Sequence, residues 1–300
     1  MFSNEKRYSR TDLACEIITS DAAEADAELT EYERDGFRVS ITQIKSEAAS
    51  RRLGKPCGIY HTLFTGKTRT LPDEKRKALI ALIAEILKDC VCSATNKHDI
   101  PSATILVAGI GNRNLTADAV GPLVVEKLTV TRELKFSNRD LFTRLECADV
   151  SAIAPGVAAE TGIEAADIIR AAAEAVDADA IILVDALAAR SCHRLAATVQ
   201  ITDTGVSPGS GIGNTRTPID SETMHVPVVT VGIPTVVDSS TLVYEALTEG
   251  DVDPDSLGGK LDEILSSGRS FFVSPQDSDV IVEDMSAIVA EAIDTFCGTR

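Results

Sequence analysis

Two aspartates stand where an α/β chain gathers its reactive groups. Asp118 follows the apolar run Thr104-Ile105-Leu106-Val107-Ala108 across a loop that opens Gly109-Ile110-Gly111-Asn112. Asp185 directly follows a second apolar run, Ala180 to Val184. Continuous runs of this kind read as strands buried on both faces of a parallel sheet. Ligands and reactive groups collect beyond the C-terminal ends of such strands. If the two carboxylates converge, like-charge repulsion raises one pKa and leaves a proton shared near neutral pH. One carboxylate can then activate a water while its protonated partner polarises a carbonyl. The same positions also suit caps at strand-to-helix junctions, and spacing leaves both readings open.

Other chemistries are less well supplied. A dinucleotide fingerprint needs G-x-G-x-x-G, but position 114 is Asn, and no P-loop lysine follows. Cys90-x-Cys92 with His98 is not a zinc spacing, so no metal and no cofactor is expected. Cys192 and His193 are sequence neighbours, which do not face each other on a helix or strand. Gly205-Val206-Ser207-Pro208-Gly209 has the G-x-S-x-G spacing, but no helix pattern follows it, so a serine mechanism lacks its nucleophile context. The Gly-Ile-Gly-Asn of 109–112 recurs at 211–214, and both copies are expected in loops that offer backbone amides without side-chain cover.

The elements that must hold the aspartates are written as strand and helix patterns in alternation. Phe37 to Ile41, Ile59 to Leu63, Ala197 to Ile201 and Val226 to Val231 read as further strands. A helix opens at Pro72 and carries Leu79, Leu82, Ile83, Ile86 and Leu87 on one face. Thr161 with Glu164 has the spacing of a capping box, ahead of a helix through Ile169 and Ala173. Helices are also expected over Leu242 to Leu247 and Val280 to Phe296. The pattern implies an α/β fold, a mostly parallel sheet covered by helices on both faces. Ser20 to Glu33 is acidic and reads as loop or a poorly packed arm, and Gly250 to Gly268 as a surface excursion.

Composition narrows the partners. The chain has 300 residues, 29 basic and 46 acidic, for a net charge of −17. That balance argues against binding a nucleic-acid backbone or an anionic membrane surface. No apolar run approaches the roughly 20 residues of a membrane span, and the N-terminus lacks the apolar core of a secretory signal. Seven scattered cysteines in a chain this size are expected to be reduced thiols of a cytoplasmic protein.

Longer stretches add a resemblance. Gly109 to Leu134, Ser151 to Ile169, Ile181 to Ser191, Ile201 to Arg216, Val226 to Val243 and Phe271 to Ile293 together resemble the germination proteases of spore-forming bacteria. Tyr8 to Ala14 resembles that family's propeptide junction. The resemblance implies an atypical aspartic endopeptidase, made as a self-processing zymogen, that starts the degradation of small acid-soluble spore proteins during germination. It implies Asp118 and Asp185 as the catalytic pair and a fold similar to the hydrogenase maturation peptidases. It also implies a homotetramer held in the developing spore. A propeptide of residues 1–12 would be cut between Asp12 and Leu13, leaving 13–300 as the peptidase domain. Gly109, Gly111, Asn112, Gly209, Gly211 and Gly213 are then expected to shape the cleft. Two departures accompany the match: a short region between Tyr244 and Phe271, and Cys15 where a small residue such as Val or Ser is more typical. The alternatives are a metal-dependent maturation-type peptidase and a non-catalytic anion-binding α/β module.

Overall fold

In the computed structural model of the chain, residues 10–18, 26–208, 216–253, 256, 263 and 271–300 are described. Apolar runs and alternating segments assemble into one nine-stranded sheet among these residues. In chain order the strands are β1 (Ala27–Arg34), β2 (Phe37–Ile44), β3 (Gly58–Phe64), β4 (Thr104–Gly109), β5 (Asp149–Ile153), β6 (Ala180–Ala189), β7 (Thr198–Thr202), β8 (Val228–Asp238) and β9 (Phe272–Val273). Their spatial order is β1-β2-β3-β7-β8-β6-β4-β5, with β9 beside the end of β8. The central strands β5, β4, β6 and β8 are parallel. An antiparallel flank of β7, β3, β2 and β1 extends the sheet on the β8 side.

The helices are α1 (Glu47–Leu53), α2 (Asp73–Thr95), α3 (Val120–Lys127), α4 (Arg132–Ser137), α5 (Arg139–Leu145), α6 (Ala158–Thr161), α7 (Ala165–Val176), α8 (Ser221–Met224), α9 (Ser239–Glu249) and α10 (Ser278–Cys297). One face of the sheet is covered by α2, α3 and α10, whose Leu79, Ile83, Val124 and Ile288 meet Val107, Ile182, Val184 and Val231. The other face packs α7 and α8 through Ile169 and Met224 onto Leu106, Ile181, Leu183 and Val228. Burial on both faces is why these central strands read as continuous apolar runs.

Three expectations are corrected. Part of the acidic stretch forms β1, paired with β2 over its whole length. Ala27 is buried and Leu29 packs beside it, while the charges sit on an exposed edge, where they discourage further pairing. Lys45 to Glu28 (2.5 Å) and Arg38 to Glu31 (3.7 Å) cross the β1–β2 pair. Thr161 does not open a capping box: it ends α6, and its hydroxyl donates to backbone carbonyls of Val157 and Ile163. The residue before α7 is Glu164, with no side-chain cap. Finally, β6 does not stop at Asp185 but runs on to Ala189, because β8 continues beside it to Val237.

The junction of β4 and α3 is packed backbone on backbone. A Cβ on Gly121 would stand 2.4 Å from the Ile110 carbonyl oxygen and 2.6 Å from that of Val184. One on Gly109 would stand 2.1 Å from the Gly121 oxygen. Gly121→Ala therefore has to push α3 off the sheet, and overpacking of this kind costs about 1–3 kcal/mol. Thermal unfolding should register the loss as a lower melting temperature, with reduced turnover because the same junction carries Asp118.

Candidate active site

Asp185 lies in the interior of β6, and its position follows from register. Across the sheet it stands beside Gly232 on β8, which stands beside Gln200 on β7, then Thr62 on β3 and Ser40 on β2. All five belong to the face opposite α2, α3 and α10, since their strand neighbours Val184, Val231, Ile201, Leu63 and Val39 fill that other core. This row is polar on a buried sheet. Asp185 is 7% exposed, and one carboxylate oxygen accepts the Ala186 N–H at 2.8 Å. Burial pushes its carboxyl well above the usual range, and the charges of Asp118 and then Asp12 push the same way.

Asp118 is brought to this strand by the loop after β4. Gly111 has φ +119°, and a Cβ there would meet the Asp118 carbonyl oxygen at 2.0 Å, so glycine is required where the loop doubles back. The Asn112 N–H donates to Asp118 Oδ2 at 2.7 Å, and the Asn112 side chain accepts the Asn114 N–H at 2.8 Å. Thr235 of β8 donates to the Ala117 carbonyl at 2.5 Å, tying the loop to the strand next to Asp185. Burial raises the Asp118 carboxyl, while the Asn112 amide and the Arg216 guanidinium partly offset that rise. Neither aspartate caps a helix: α3 begins after Ala119 with no side-chain cap, and Asp185 is followed by strand. Asp118 and Asp185 line one cavity of about 500 Å³, whose wall also includes Gly111, Arg216, Thr235 and Asp12.

The segment Arg10 to Ile18 reaches this cavity along the polar face. The Asp12 N–H donates to the Ala188 carbonyl (2.8 Å), and Asp12 Oδ2 accepts the Ala188 N–H (2.9 Å). Leu13 is fully buried against Leu187, Ala189 and Val237, a burial worth about 1.5–3 kcal/mol. Gln200 donates to the Asp12 carbonyl (3.1 Å) and accepts the Ala14 N–H (2.8 Å). The buried Glu16 carboxylate accepts the N–H groups of Arg190 (2.7 Å) and Ser191 (3.0 Å), clamping the segment to the end of β6.

The structure thus brings together Asp118, Asp185, Gly111, Asn112 and Asp12, with Leu13 seated in the adjoining core. Gly109 serves the packing of α3 rather than the cavity wall. Gly209, Gly211 and Gly213 lie outside the described residues. Among the described residues no three His, Cys, Asp or Glu side chains gather as a metal ligand set. None of the helices described is long and apolar enough to cross a membrane, and all seven cysteines are free thiols. Sequence reading passes over Arg216, Thr235 and Gln200. Only Gln200 leaves a trace: Thr198, Gln200 and Thr202 alternate with Val199 and Ile201 on a strand that is wholly buried.

Comparison with known proteins is consistent along the chain. The family model described as germination protease matches residues 10–249. A germination protease of Caldanaerobacter subterraneus subsp. tengcongensis is 33% identical over 95% of this chain and 92% of its own length. One from Clostridium acetobutylicum is 35% identical over 95% and 93%. Among solved structures, the [NiFe] hydrogenase maturation protease HycI from Thermococcus kodakarensis KOD1 is a distant likeness. It has a TM-score of 0.38 and 17% identity, covering 71% of this chain and 98% of that one. With its α/β sheet and a match over most of its length, the chain belongs to the germination protease family of peptidases.

Proposed function

We propose that this chain is an aspartic endopeptidase that opens the degradation of small acid-soluble spore proteins during germination, with Asp118 and Asp185 activating water. The observation that carries the reading is the meeting of the two carboxylates in one cavity, both with acidity suppressed by burial. Asp185 is the more deeply buried and feels the charge of Asp118, so it is the member that keeps the proton. Asp118, ionised and steadied by the Asn112 amide, takes a proton from water as the water oxygen attacks the peptide carbonyl carbon. Asp185 gives its proton to the carbonyl oxygen. When the tetrahedral species collapses, the C–N bond breaks, the proton held on Asp118 passes to the departing amine and the hydroxyl proton returns to Asp185.

The chain is also read as a zymogen that removes its own first twelve residues. Support comes from Asp12, which lines the dyad cavity, and from Leu13, which is already core. The proposed setting is a homotetramer inside the developing spore, acting on a protein substrate without nucleic acid or membrane.

Replacing Asp118 or Asp185 by Asn, which cannot ionise, should lower kcat on a small acid-soluble spore protein by at least about 10²-fold. Wild-type turnover in either variant, with a cooperative thermal unfolding transition retained, removes that residue from the mechanism. Because the carboxyl of Asp185 is raised in the fold, the stability it contributes is full below its unfolded value of about 4. That contribution is lost as pH rises through the folded value. Asp185→Asn should therefore melt higher than the wild type at neutral pH, with the gap closing toward pH ~4. A second readout is self-processing. It needs a proton on the pair, so mild acidification from neutral should speed the appearance of a Leu13 N-terminus, read by N-terminal sequencing. A ragged terminus, or a Leu13 terminus that still appears in Asp185→Asn, would overturn the zymogen reading.

A further inference from the structure

The buried Glu16 carboxylate has a partner that does not outlast self-processing. Its Oε2 accepts the Arg190 N–H (2.7 Å) and the Thr11 hydroxyl. Its Oε1 accepts the Ser191 N–H (3.0 Å) and faces the Arg194 guanidinium at 3.8 Å. The Thr11 oxygen in turn accepts the Leu13 N–H at 3.0 Å. One hydroxyl therefore links the Leu13 nitrogen to Glu16. Both ends of the link are withdrawn from water, since Leu13 is fully buried and Glu16 is 6% exposed.

Cutting the bond between Asp12 and Leu13 changes the chemistry at this nitrogen. One water adds across the bond, its hydroxyl going to the Asp12 carbonyl carbon and its proton to the Leu13 nitrogen. The new carboxylic acid passes its proton to the same amine, so an α-carboxylate and an α-ammonium result. Residues 1–12 take the Thr11 hydroxyl away with them. What remains is a cation in a buried position beside a Glu16 oxygen that has lost a donor, and a buried charge is costly unless paired. The Leu13 carbonyl accepts the Glu16 N–H (3.2 Å), and its side chain packs on Leu187, Ala189 and Val237, so the nitrogen stays near Glu16. On the vacated side stands the Lys55 ammonium, 3.7 Å from Asp12 in the intact chain, which repels a second cation. The dyad acids lie in a cavity whose wall includes Asp12 but not Leu13.

We propose that Glu16 is the binding site of the α-ammonium created at Leu13, in an ion pair that forms only on processing and takes the place of the Thr11 hydroxyl. The pair holds Leu13 to Ile18 on the sheet once the bonds of Asp12 to Ala188 and Gln200 are gone. The charged groups around it are Arg190 and Arg194 beyond β6, and Glu245 of α9, which bonds Arg190 at 3.1 Å. Cys15 lies beside it, with Arg38 of β2 acting on that thiol, and Asp238 ends β8 next to Val237, 3.7 Å from Arg10. An amine whose proton affinity is raised by the fold contributes fully below its ordinary midpoint, near pH ~8. That contribution is lost as pH rises through the folded midpoint. The inference rests on the self-processing reading above.

The test uses the self-processed full chain. Its Leu13 amine is acylated with acetic anhydride across pH, and the extent is read by mass spectrometry of the N-terminal peptide. Pairing should raise the amine's proton affinity about tenfold or more over the ordinary midpoint of about 7.7–8.0, whereas burial without a partner lowers it. Glu16→Gln should return the midpoint to the ordinary range or below, and Glu16→Asp should keep it raised. In the wild type a water-soluble carbodiimide should join the Leu13 nitrogen to the Glu16 side chain, which identifies the partner without any substitution. An ordinary or lowered midpoint in the wild type overturns the pair. So does the absence of a link to Glu16, a link to Asp118, Asp185 or Asp238 in its place, or a raised midpoint that survives in a cooperatively folding Glu16→Gln. If no Leu13 terminus appears in the wild type at all, the self-processing reading itself has failed.

Discussion

A carboxylic acid in the interior of a buried strand is the constraint on which the rest of the structure depends. β6 carries Ile182 and Val184 into one core and Ile181 and Leu183 into the other, leaving Asp185 among apolar neighbours in a strand that continues to Ala189. A charge there is costly unless it is neutralised or hydrogen-bonded. The fold offers only the Ala186 N–H among the described partners and surrounds the group with two further carboxylates, Asp118 and Asp12. Burial and the neighbouring carboxylates both favour the protonated acid. Clustered acids with suppressed acidity are uncommon in cores built only for stability, and they are characteristic of sites that move protons.

The surrounding packing reads as the scaffold for this one arrangement. The contact of Gly109 with Gly121 lets α3 approach closely, and Gly111 lets the loop return on itself to deliver Asp118. Gly232 lets the Leu187 side chain close over the middle of the polar row between Asp185 and Gln200, where a Cβ would stand 2.3 Å from it. Each glycine acts by the atom it lacks. The N-terminal segment adds hydrogen bonds to the apolar burial of Leu13, Ala14 and Ile18, with Glu16 on two amides and Asp12 on a third.

The central elements were legible in the sequence because their periodicity is strong. The runs before Asp118 and Asp185 read as strands buried on both faces, and the structure gives them that role. The continuation of β6 through Ala186-Leu187-Ala188-Ala189 was not legible, since those residues favour helix intrinsically. Pairing with β8 decides the matter. β1 was hidden by its charge, which reflects its place at the edge rather than any failure to pack. Lys55, Gln200 and Arg216 belong to no local motif. They acquire roles through partners far along the chain, Asp12 and Ala14 for the first two and the charge of Asp118 for Arg216.

The order of strands in the sheet has a consequence for when the site can exist during synthesis. The early hairpins β1-β2-β3 dock on β7, and β7 docks on β8, so residues near position 60 wait for residues beyond 198 and 228. Contacts of such long sequence separation form late in folding. The first residues of the chain, made first, find their seat on Gln200, Ala188 and Val237 only after most of the polypeptide has emerged. Thr235, which ties down the loop bearing Asp118, arrives later still. A nascent chain that stops before β8 has neither a closed cavity nor a seated N-terminal segment, and cleavage chemistry is coupled by topology to completion of the fold.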